Sequence, residues 1–487
     1  MLSEELFPVV QKAMAAGYQL TPDAFTLLNE MPVEEAIQLM EEAIRRAYRQ
    51  SNIFIIDAEF LAKKPEVNKP MKPILAKKSV NVLDLILPPM TKSIGNSNGY
   101  IDYFNSRFKQ LESIIKQRPD LRDAIPLAQA LKLPLKTKFK TIGIVTEKSA
   151  RNNRLFLDLE DIDTTTQVMV SGEDNLKKGL EILLDQVICI EGTRFREKMM
   201  VANELYWPDI PMHNIHRSND PVSVVFVGDV HIGSTHFRDD LFEKFLRWLN
   251  QDLGPQPSKD LASTVKYVVI AGDLVDGIGI YPNQLDELTI PTQKAQYEEA
   301  AKLIARFPDH IETIILPGNH DAVRRSLPQP VIPESYAPSL YANPNVIMAP
   351  NPVYIDLNTV RVLVAHGSSL TDILGSTPGQ DFANPVNAIE LLLKCRHIAP
   401  SYGGATPIAP EQVDRLVMKH IPDVVLMGHI HIYESKKYKG VTLISAGSFQ
   451  DQTPYQKRMK LVPTPGVLSV FNLKTHDQFP LDLERLN

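Results

Sequence analysis

The 487-residue sequence predicts an α/β domain in its second half, preceded by a β domain and a small N-terminal α module. Three observations predict this order. Apolar residues first recur at helical spacing, then alternate with a period of two, and finally form short apolar runs separated by helical stretches. Because the length exceeds that of one ordinary domain, two or three domains are expected.

Residues 1–56 are predicted to form the helical module. Thr21-Pro22 is a typical helix start, because proline is favoured at the first helical position. Dimerisation or docking is the expected role of such a module. The residues at helical spacing are Leu6, Val9, Val10 and Met14, followed by Ala36, Leu39, Met40 and Ala43.

Residues 57–98 are predicted to be a basic linker, densest in Lys and Pro between Leu61 and Lys78. Such a composition favours a flexible tether, and contact with a nucleic-acid backbone is the alternative. Residues 99–136 are expected to be a helical connector. Its apolar face would be formed by Tyr103, Phe104, Phe108, Leu111 and Ile115.

Residues 137–210 alternate as five strands, with a short helix, Asn175–Leu184, between the third and fourth strands. This order resembles an OB-fold. Some OB-folds bind single strands with aromatic and basic residues, but aromatic residues are few here, so protein binding is the other interpretation. The predicted strands are Lys138–Val145, Arg154–Leu159, Gln167–Val170, Val187–Ile190 and Met199–Ala202.

Residues 221–487 contain five apolar runs, each followed directly by Asp, His or Asn. Because open α/β sheets bind ligands at the carboxyl ends of their strands, these side chains are expected to form one site. The runs are Val224–Val227, Val268–Ala271, Ile311–Leu316, Val362–Ala365 and Val424–Met427. Helices are predicted at Asp239–Asn250, Thr292–Phe307, Pro385–His397 and Pro410–His420.

The side chains after these runs are a mixed nitrogen and oxygen ligand set without cysteine. They are Asp229, His231, Asp273, Asn319, His366, His429 and His431. This set argues against a structural zinc site and suits Mn²⁺, Zn²⁺ or Fe. Two cations about 3.5–4 Å apart can bind the attacking and leaving oxygens of a phosphate ester.

A bridging carboxylate is needed to hold two cations that close, and Asp273 is the best candidate. Asp229, His231 and His431 would complete one cation site. The other would be completed by Asn319, His366 and His429.

His320 remains outside both ligand sets and is the candidate catalytic residue, acting on the phosphate or protonating the leaving oxygen. Asp321 either orients His320 or caps the turn. A lone Asp-x-His or Gly-Asn-His-Asp motif is more typical of a turn with a packed histidine. Five such motifs in order, each after an apolar run, favour a metal site instead.

Bulk properties restrict the remaining function classes. The net charge of −6 does not attract nucleic acid, so a nucleic-acid surface would have to be a local patch. Cys189 and Cys395 lie in apolar segments and are expected to be buried free thiols in a reducing compartment. No signal peptide or membrane-spanning segment is evident, so a soluble, cytoplasmic protein is expected.

The ordered motifs from Val222 to Phe471 resemble the calcineurin-like metallophosphoesterase superfamily, with no ligand position substituted. That resemblance implies a dinuclear site on a β-sandwich flanked by helices. The single-residue roles proposed above agree with those of the superfamily.

An OB-fold joined to such a domain looks like the small (B) subunits of replicative DNA polymerases. Within that group, the intact set of metal ligands resembles the small subunit of the archaeal family-D polymerase. Three further segments agree with that family: Gly272–Pro282, Pro317–Arg324 and Phe449–Gln456. The resemblance implies a 3′→5′ proofreading exonuclease that binds DNA 3′ ends and a large catalytic polymerase subunit. It also implies two divalent ions, with Mn²⁺ foremost and Zn²⁺, Fe or Mg²⁺ as alternatives.

Two rival functions remain open. A metallophosphatase acting on small phosphoesters uses the same five motifs. A polymerase B-subunit scaffold would keep the fold but little nuclease activity, and the intact ligand set argues against it.

Overall fold

A computed structural model of the chain describes residues 10, 14, 18–48, 55–62, 75–79, 83–86 and 97–486. Contacts divide the chain into two units, Met1–Pro73 and Ile74–Asn487. Each unit is described by itself.

The first unit contains three helices, Pro22–Asn29, Val33–Tyr48 and Ala58–Ala62. Two short strands, β1 (Gln19–Leu20) and β2 (Ile55–Ile56), pair in parallel. Thr21 is the N-cap of the first helix and Pro22 its first residue, as predicted. The predicted stretch from Leu6 to Met14 lies mostly outside the described residues. The core of the unit includes Ala24, Leu28, Ala36, Met40, Ala43, Ile56 and Leu61.

Part of the predicted linker 57–98 has regular structure instead. A 3-10 helix occupies Leu75–Lys78, and β3 (Leu83–Ile86) is a strand of one sheet of the second unit. Leu83 and Leu85 alternate with a polar residue and pack against the apolar core of that unit, which explains the strand. The Lys- and Pro-rich residues 63–74 lie outside the described part of the chain.

The five strands predicted within 137–210 form a closed barrel. They are β4 (Lys138–Arg151), β5 (Arg154–Glu160), β6 (Thr165–Val170), β7 (Val187–Arg196) and β8 (Met199–Tyr206). Their order around the barrel is β4-β5-β6-β8-β7, and the helix Glu173–Glu181 lies between β6 and β7 in the chain. The interior is filled by alternating apolar residues, among them Val145, Leu157, Val168, Ile190 and Met200.

The predicted connector is the helix Ser97–Lys116, and a short helix, Leu127–Ala130, follows it. Phe108, Leu111 and Ile115 of the predicted apolar face are buried against β4 and β7 of the barrel and against Val417. Tyr103 of the same face packs into a core of the following domain. The connector therefore joins the barrel to that domain through one apolar stripe.

The rest of the second unit is built from two six-stranded sheets. The first has the order β12-β11-β10-β9-β18-β19, and the second β16-β17-β15-β14-β13-β3. Their strands are β9 (Ser223–Val227), β10 (Val265–Ala271), β11 (Glu312–Leu316), β12 (Val346–Met348), β13 (Val353–Leu357), β14 (Val360–Ala365), β15 (Val424–Met427), β16 (Glu434–Tyr438), β17 (Val441–Ser445), β18 (Val467–Asn472) and β19 (Gln478–Asp482).

One shared apolar core joins the two sheets, containing residues such as Phe226 and Val269 from the first and Val362 and Leu426 from the second. The outer face of the first sheet is covered by helices Asp239–Leu249, Gln256–Ala262, Gln293–Ile304 and Pro338–Tyr341, and that of the second by Ser369–Leu374 and Pro385–Cys395. β9, β10 and β11 run parallel, as do β14, β15 and β17, so their carboxyl ends reach common edges.

Three of the four helices predicted in this domain are confirmed, but the prediction at Pro410–His420 is wrong. Residues there bond to a neighbouring segment: the amide of Met418 donates to the carbonyl of Arg396, and that of Ile398 donates to the carbonyl of Leu416. The side chain of Asp414 accepts from the amide of Leu416. These bonds replace the internal bonds that a helix would need.

Cys189 and Cys395 are buried free thiols, as expected, and burial raises the pKa of Cys189 to about 12. In the part of the chain that the structure describes, none of the helices combines the length and apolar character that crossing a membrane requires.

The buried ion pair between Arg107 and Asp414 gives a stability prediction. The guanidinium Nε lies 2.8 Å from Asp414 Oδ2, both side chains are fully buried, and His397 Nε2 lies 2.7 Å from the same oxygen. Arg107→Leu leaves that carboxylate without its permanent cation, so we expect a loss of about 3–5 kcal/mol in the free energy of unfolding. Urea unfolding followed by the fluorescence of Trp207 and Trp248 measures it.

The matched control is Lys177→Ala, which removes an exposed pair with Glu173 and is expected to cost under about 1 kcal/mol. An Arg107→Leu variant as stable as the control would contradict the stabilising role of the buried pair between Arg107 and Asp414.

Candidate metal centre

All seven predicted ligands lie at the carboxyl ends of strands, where edges of the two sheets meet. Asp229 and His231 follow β9, Asp273 follows β10 and Asn319 follows β11, all in the first sheet. The second sheet contributes His366 after β14, and His429 and His431 after β15. Convergence was predicted from the residues and a β-sandwich from the family resemblance, but the assignment of each strand to one of the two sheets was not predicted.

Several of these residues have a strained backbone. His231, Asp273, His429 and His431 have φ values of 57°, 48°, 72° and 63°, in the left-handed region. Each such non-glycine conformation costs on the order of 1–3 kcal/mol and persists where the surroundings impose it. Strain concentrated on four of the seven candidate ligands is typical of a functional site.

The first cluster contains Asp229, His231 and His431, all buried. Nε2 of His231 lies 3.2 Å from Nε2 of His431. The same nitrogen of His431 lies 3.5 Å from Oδ1 of Asp229. These three side chains therefore direct their ligand atoms at one point, as predicted.

The second cluster contains Asp273, Asn319, His366 and His429. Nε2 of His366 lies 2.8 Å from Oδ1 of Asn319 and 3.2 Å from Nδ1 of His429. It lies 3.4 Å from Oδ2 of Asp273. The predicted second set is therefore also brought together.

Asp273 connects the two clusters. Its Oδ2 lies 3.4 Å from Nε2 of His366 and 3.7 Å from Nε2 of His231. Its Oδ1 accepts a hydrogen bond of 2.8 Å from the amide of His320. This is the position that a carboxylate shared by two cations would occupy.

Electrostatics gives the centre an anionic character. Burial raises the pKa of Asp229, but His431 and His366 outweigh this and lower it to about 2. The same opposition of burial and imidazole groups leaves the pKa of Asp273 well below its ordinary value. Burial and the neighbouring His366 lower the pKa of His429 to about 3. Burial also lowers the pKa of His366, but Asp273 and Asp229 raise it to about 9.

A layer of polar side chains orients the candidate ligands. Asp276 Oδ1 lies 3.0 Å from Nδ1 of His231, and this carboxylate in turn accepts from the amide groups of Gln284 and Gln450. The hydroxyl of Thr371 lies 3.0 Å from Nε2 of His429. Such contacts fix imidazole orientation at metal sites.

The sequence motifs assigned no role to Gln450 or Gln456. The side-chain Nε2 of Gln456 lies 3.0 Å from Nδ1 of His431. The segment Phe449–Gln456 supported the family resemblance, so it was a signal for these residues.

His320 and Asp321, the predicted catalytic pair, are placed differently. Nδ1 of His320 lies 2.7 Å from the carbonyl oxygen of Asp276, and its ring meets that of His231 edge to face at 4.7 Å. Asp321 accepts from the amide of Gly318 and from the hydroxyl of Tyr297. Of the two alternatives for Asp321, these contacts support capping of the turn, while Asp276 positions His320.

His213 and His216 lie outside the candidate centre, as expected. Both contact the buried carboxylate of Asp423, at 2.8 Å and 3.1 Å, and Asp423 directly precedes β15 at the end opposite the centre. Asp423 also accepts from the amides of His216 and Arg361. The carboxylate of Asp423, outside the candidate centre, is therefore satisfied by protein donors.

The geometry of the donors fits divalent cations. Ligands of one cation at bond lengths of about 2.0–2.2 Å lie roughly 3 Å apart, which matches the 3.2 Å between the paired imidazole nitrogens of each cluster. Nδ1 of His366 lies 3.0 Å from the carbonyl oxygen of Ala271 and donates to it, so Nε2 is the nitrogen that a cation would bind in place of its proton.

Comparisons with known proteins identify a set of similar chains. The family model for the B subunit of DNA polymerases alpha and epsilon matches residues 224–436. The chain is 41% identical over 381 residues to the DNA polymerase II small subunit of Methanothermobacter thermautotrophicus, covering 78% of each chain. It is 35% identical over 477 residues to that of Archaeoglobus fulgidus, covering 95% of each.

A third similar protein is the DNA polymerase II small subunit of Pyrococcus furiosus, 36% identical over 397 residues. That match covers 80% of this chain and 65% of the relative, so the chain spans just under two thirds of that relative's length.

The matching model places the two-sheet domain in the class of DNA polymerase B subunits. Within that class, the chain belongs to the family of DNA polymerase II small subunits. This confirms the resemblance to the small subunit of the archaeal family-D polymerase.

Replacing the shared carboxylate tests the centre. Asp273→Asn preserves the shape of the side chain but removes its charge, so we expect the content of bound Mn²⁺ to fall from about two ions per chain to well below one. Elemental analysis after dialysis against Mn²⁺ measures this, with circular dichroism to check folding.

The control is Asp240→Asn, an exposed carboxylate paired with Arg238, which should keep the wild-type metal content. Two full ions in the Asp273→Asn chain would rule out the bridging role.

Proposed function

We propose that this chain is the 3′→5′ proofreading exonuclease subunit of a heteromeric replicative DNA polymerase. The observation that carries the proposal is the convergence of seven predicted donors into two clusters that share Asp273. Such paired sites serve phosphodiester hydrolysis. Family membership supplies the polymerase context.

The proposal includes an assignment of the domains. The two-sheet domain, 221–487, is of the calcineurin-like metallophosphoesterase type, and its helix-flanked pair of sheets supports this. The barrel within 137–210 is an OB-fold, supported by its strand order and the helix between its third and fourth strands. Residues 1–56, 57–98 and 99–136 are a docking module, a partly structured linker and the connector.

The cations would be held by residues of both sheets. Asp229, His231 and His431 would complete one site, and Asn319, His366 and His429 the other, with Asp273 common to both. Two divalent ions there, Mn²⁺ foremost, would supply nucleophile activation and charge neutralisation on the phosphate. Of these residues, Asp229, His231, Asp273, His366 and His431 are buried.

His320 is proposed to stabilise or protonate the leaving 3′-oxygen. Its Nδ1 donates to the carbonyl oxygen of Asp276, which leaves Nε2 to face the substrate, and a proton held on Nε2 would pass to the leaving oxygen. The ring is only partly buried, which gives a bound phosphate access to it. The products would be a 5′-nucleotide and a primer shortened by one residue.

The expected partner is the large subunit that contains the polymerase active site. The relatives are named small subunits of DNA polymerase II, and that name supports a larger companion chain. DNA with an unpaired 3′ end is the proposed substrate. Activity on small phosphomonoesters is the second candidate, since the same donors would serve both reactions.

His320→Ala tests the catalytic assignment. We expect the degradation rate of a 3′-labelled, mismatched primer to fall by about 10²–10⁴-fold, because positioned proton transfer contributes roughly that much. Metal content and association with the large subunit should stay at wild-type values. Gel analysis of the primer in Mn²⁺ measures the rate, and a chromogenic phosphomonoester distinguishes nuclease from phosphatase.

His236→Ala is the matched control, since His236 is a partly exposed histidine near Glu287 rather than in the ligand clusters. Cutting by His320→Ala at the wild-type rate would remove His320 from the mechanism.

Removal of residues 1–60 tests the proposed domain assignment. All candidate ligands and His320 lie in the second unit, so we expect exonuclease activity on the same primer to be retained. Loss of cutting by a shortened chain with unchanged tryptophan fluorescence would mean that the module belongs to the nuclease.

A further inference from the structure

A groove of about 590 Å³ opens directly beside the candidate centre. Its walls come from the loop after β10, the turn after β11 and the segment near Pro333. A cavity of this size accommodates ligands of one or two nucleotides. The lining residues that matter below are Ile278, Gln293, Asn319, Arg324, Arg325 and Tyr336.

The groove is continuous with the candidate catalytic groups. Asn319 lines it and also contacts Nε2 of His366 at 2.8 Å. Gln293, on the opposite wall, donates from its side chain to the carbonyl oxygen of His320 at 3.2 Å. A chain lying in the groove would therefore lead its end to His320 and the two clusters.

Positive charge lines this groove although the whole chain is acidic. Arg324 forms an ion pair with Glu411, at 2.8 Å. Arg325 is exposed and donates to the carbonyl oxygen of Ile280, and it has no carboxylate partner among the described residues. The ammonium of Lys294 lies 5.8 Å from the ring centre of Tyr336. Arg325 and Lys294 are therefore available to phosphate groups.

Exposed apolar surface alternates with these cations. Tyr336 and Ile278 are 37% and 38% exposed. Aromatic faces beside cations bind single strands, because unpaired bases stack on the ring while phosphates meet the charges. In a duplex the bases are already stacked and paired, so their faces are not available to Tyr336.

We propose that this groove holds the unpaired strand leading to the scissile bond, with a base on Tyr336 and a phosphate on Arg325. This inference rests on the proposed nuclease function and assigns the binding of its unpaired strand to Tyr336 and Arg325.

The test uses the full chain with Arg325→Gln and, separately, Tyr336→Ala. The substrates are a 3′-labelled single-stranded oligonucleotide and the small diester bis(p-nitrophenyl) phosphate, both with Mn²⁺. Loss of one stacked base corresponds to about 5–100-fold in affinity, so KM for the oligonucleotide should rise by at least fivefold. The fall in kcat/KM should be much larger on the oligonucleotide than on the diester.

Salt dependence separates the two roles. For Arg325→Gln, the slope of log affinity against log salt should decrease by about 0.7, the value for one phosphate contact on a single strand. Tyr336→Ala should leave that slope unchanged. Arg306→Gln, an exposed arginine paired with Glu243, is the control and should match the wild type on both substrates.

Equal losses on both substrates, or an unchanged KM in both variants, would overturn the proposal. So would a rise in KM confined to Tyr455→Ala, since Tyr455 is exposed in the helix next to Gln456, on the His431 side of the centre. If the wild-type chain cuts neither substrate, the nuclease function fails. In that case the affinity of the same variants for the labelled strand, measured by anisotropy, still tests whether the strand binds in the groove.

Discussion

Burial of two carboxylates, Asp229 and Asp273, where the sheet edges meet is the constraint on which the rest of the structure depends. They are 0% and 2% exposed. An ionised carboxylate without partners costs several kcal/mol in such a position. The amide of His429 donates to Asp229, and the amide of His320 donates to Asp273, which offsets part of this cost. The surrounding imidazoles offset more of this cost. Both sheets therefore contribute groups that compensate the buried charges where they meet.

The same constraint explains the glycines and the strained backbone of the strand ends. A Cβ at Gly272 would lie 2.5 Å from Nδ1 of His366, and one at Gly318 would collide with the carboxylate of Asp273. The absence of side chains at these positions lets ends of different sheets approach closely. The left-handed residues that follow turn their side chains back toward the centre. A fold selected for stability alone would not keep such strain in four ligand positions.

The barrel strands and the five strands that precede the motifs were predictable from the sequence because their signals are local: apolar runs and the polar residues after them lie within a few positions of each other. The remaining strands of the two sheets precede no such motif and were not predicted; they are β3, β12, β13, β16, β17, β18 and β19. The two ligand sets also followed, since the chemistry of a bridging carboxylate restricts the choice. The family resemblance implied a β-sandwich, but which strands lie in which sheet did not follow from the residues, because pairing between distant strands leaves no local signal. Gln456 contacts His431 across 25 positions, and the segment around Asp414 is held by distant backbone rather than by its own helical bonds. Tertiary contacts determine the position of Gln456 and the conformation around Asp414, and hydrophobic periodicity carries no information on such contacts.

Family membership and site geometry answer different questions about this chain. Family membership alone does not require chemistry, because fold in general does not imply function. A scaffold needs neither buried carboxylates nor strained ligand positions, and it gains nothing from the polar layer of Asp276, Gln450 and Gln456 that orients two imidazoles. Selection for stability would replace these groups with apolar ones at little cost. Their joint presence, beside a groove in which Arg325 and Lys294 remain open to anions, is therefore better accounted for by catalysis on a nucleic-acid strand than by assembly alone.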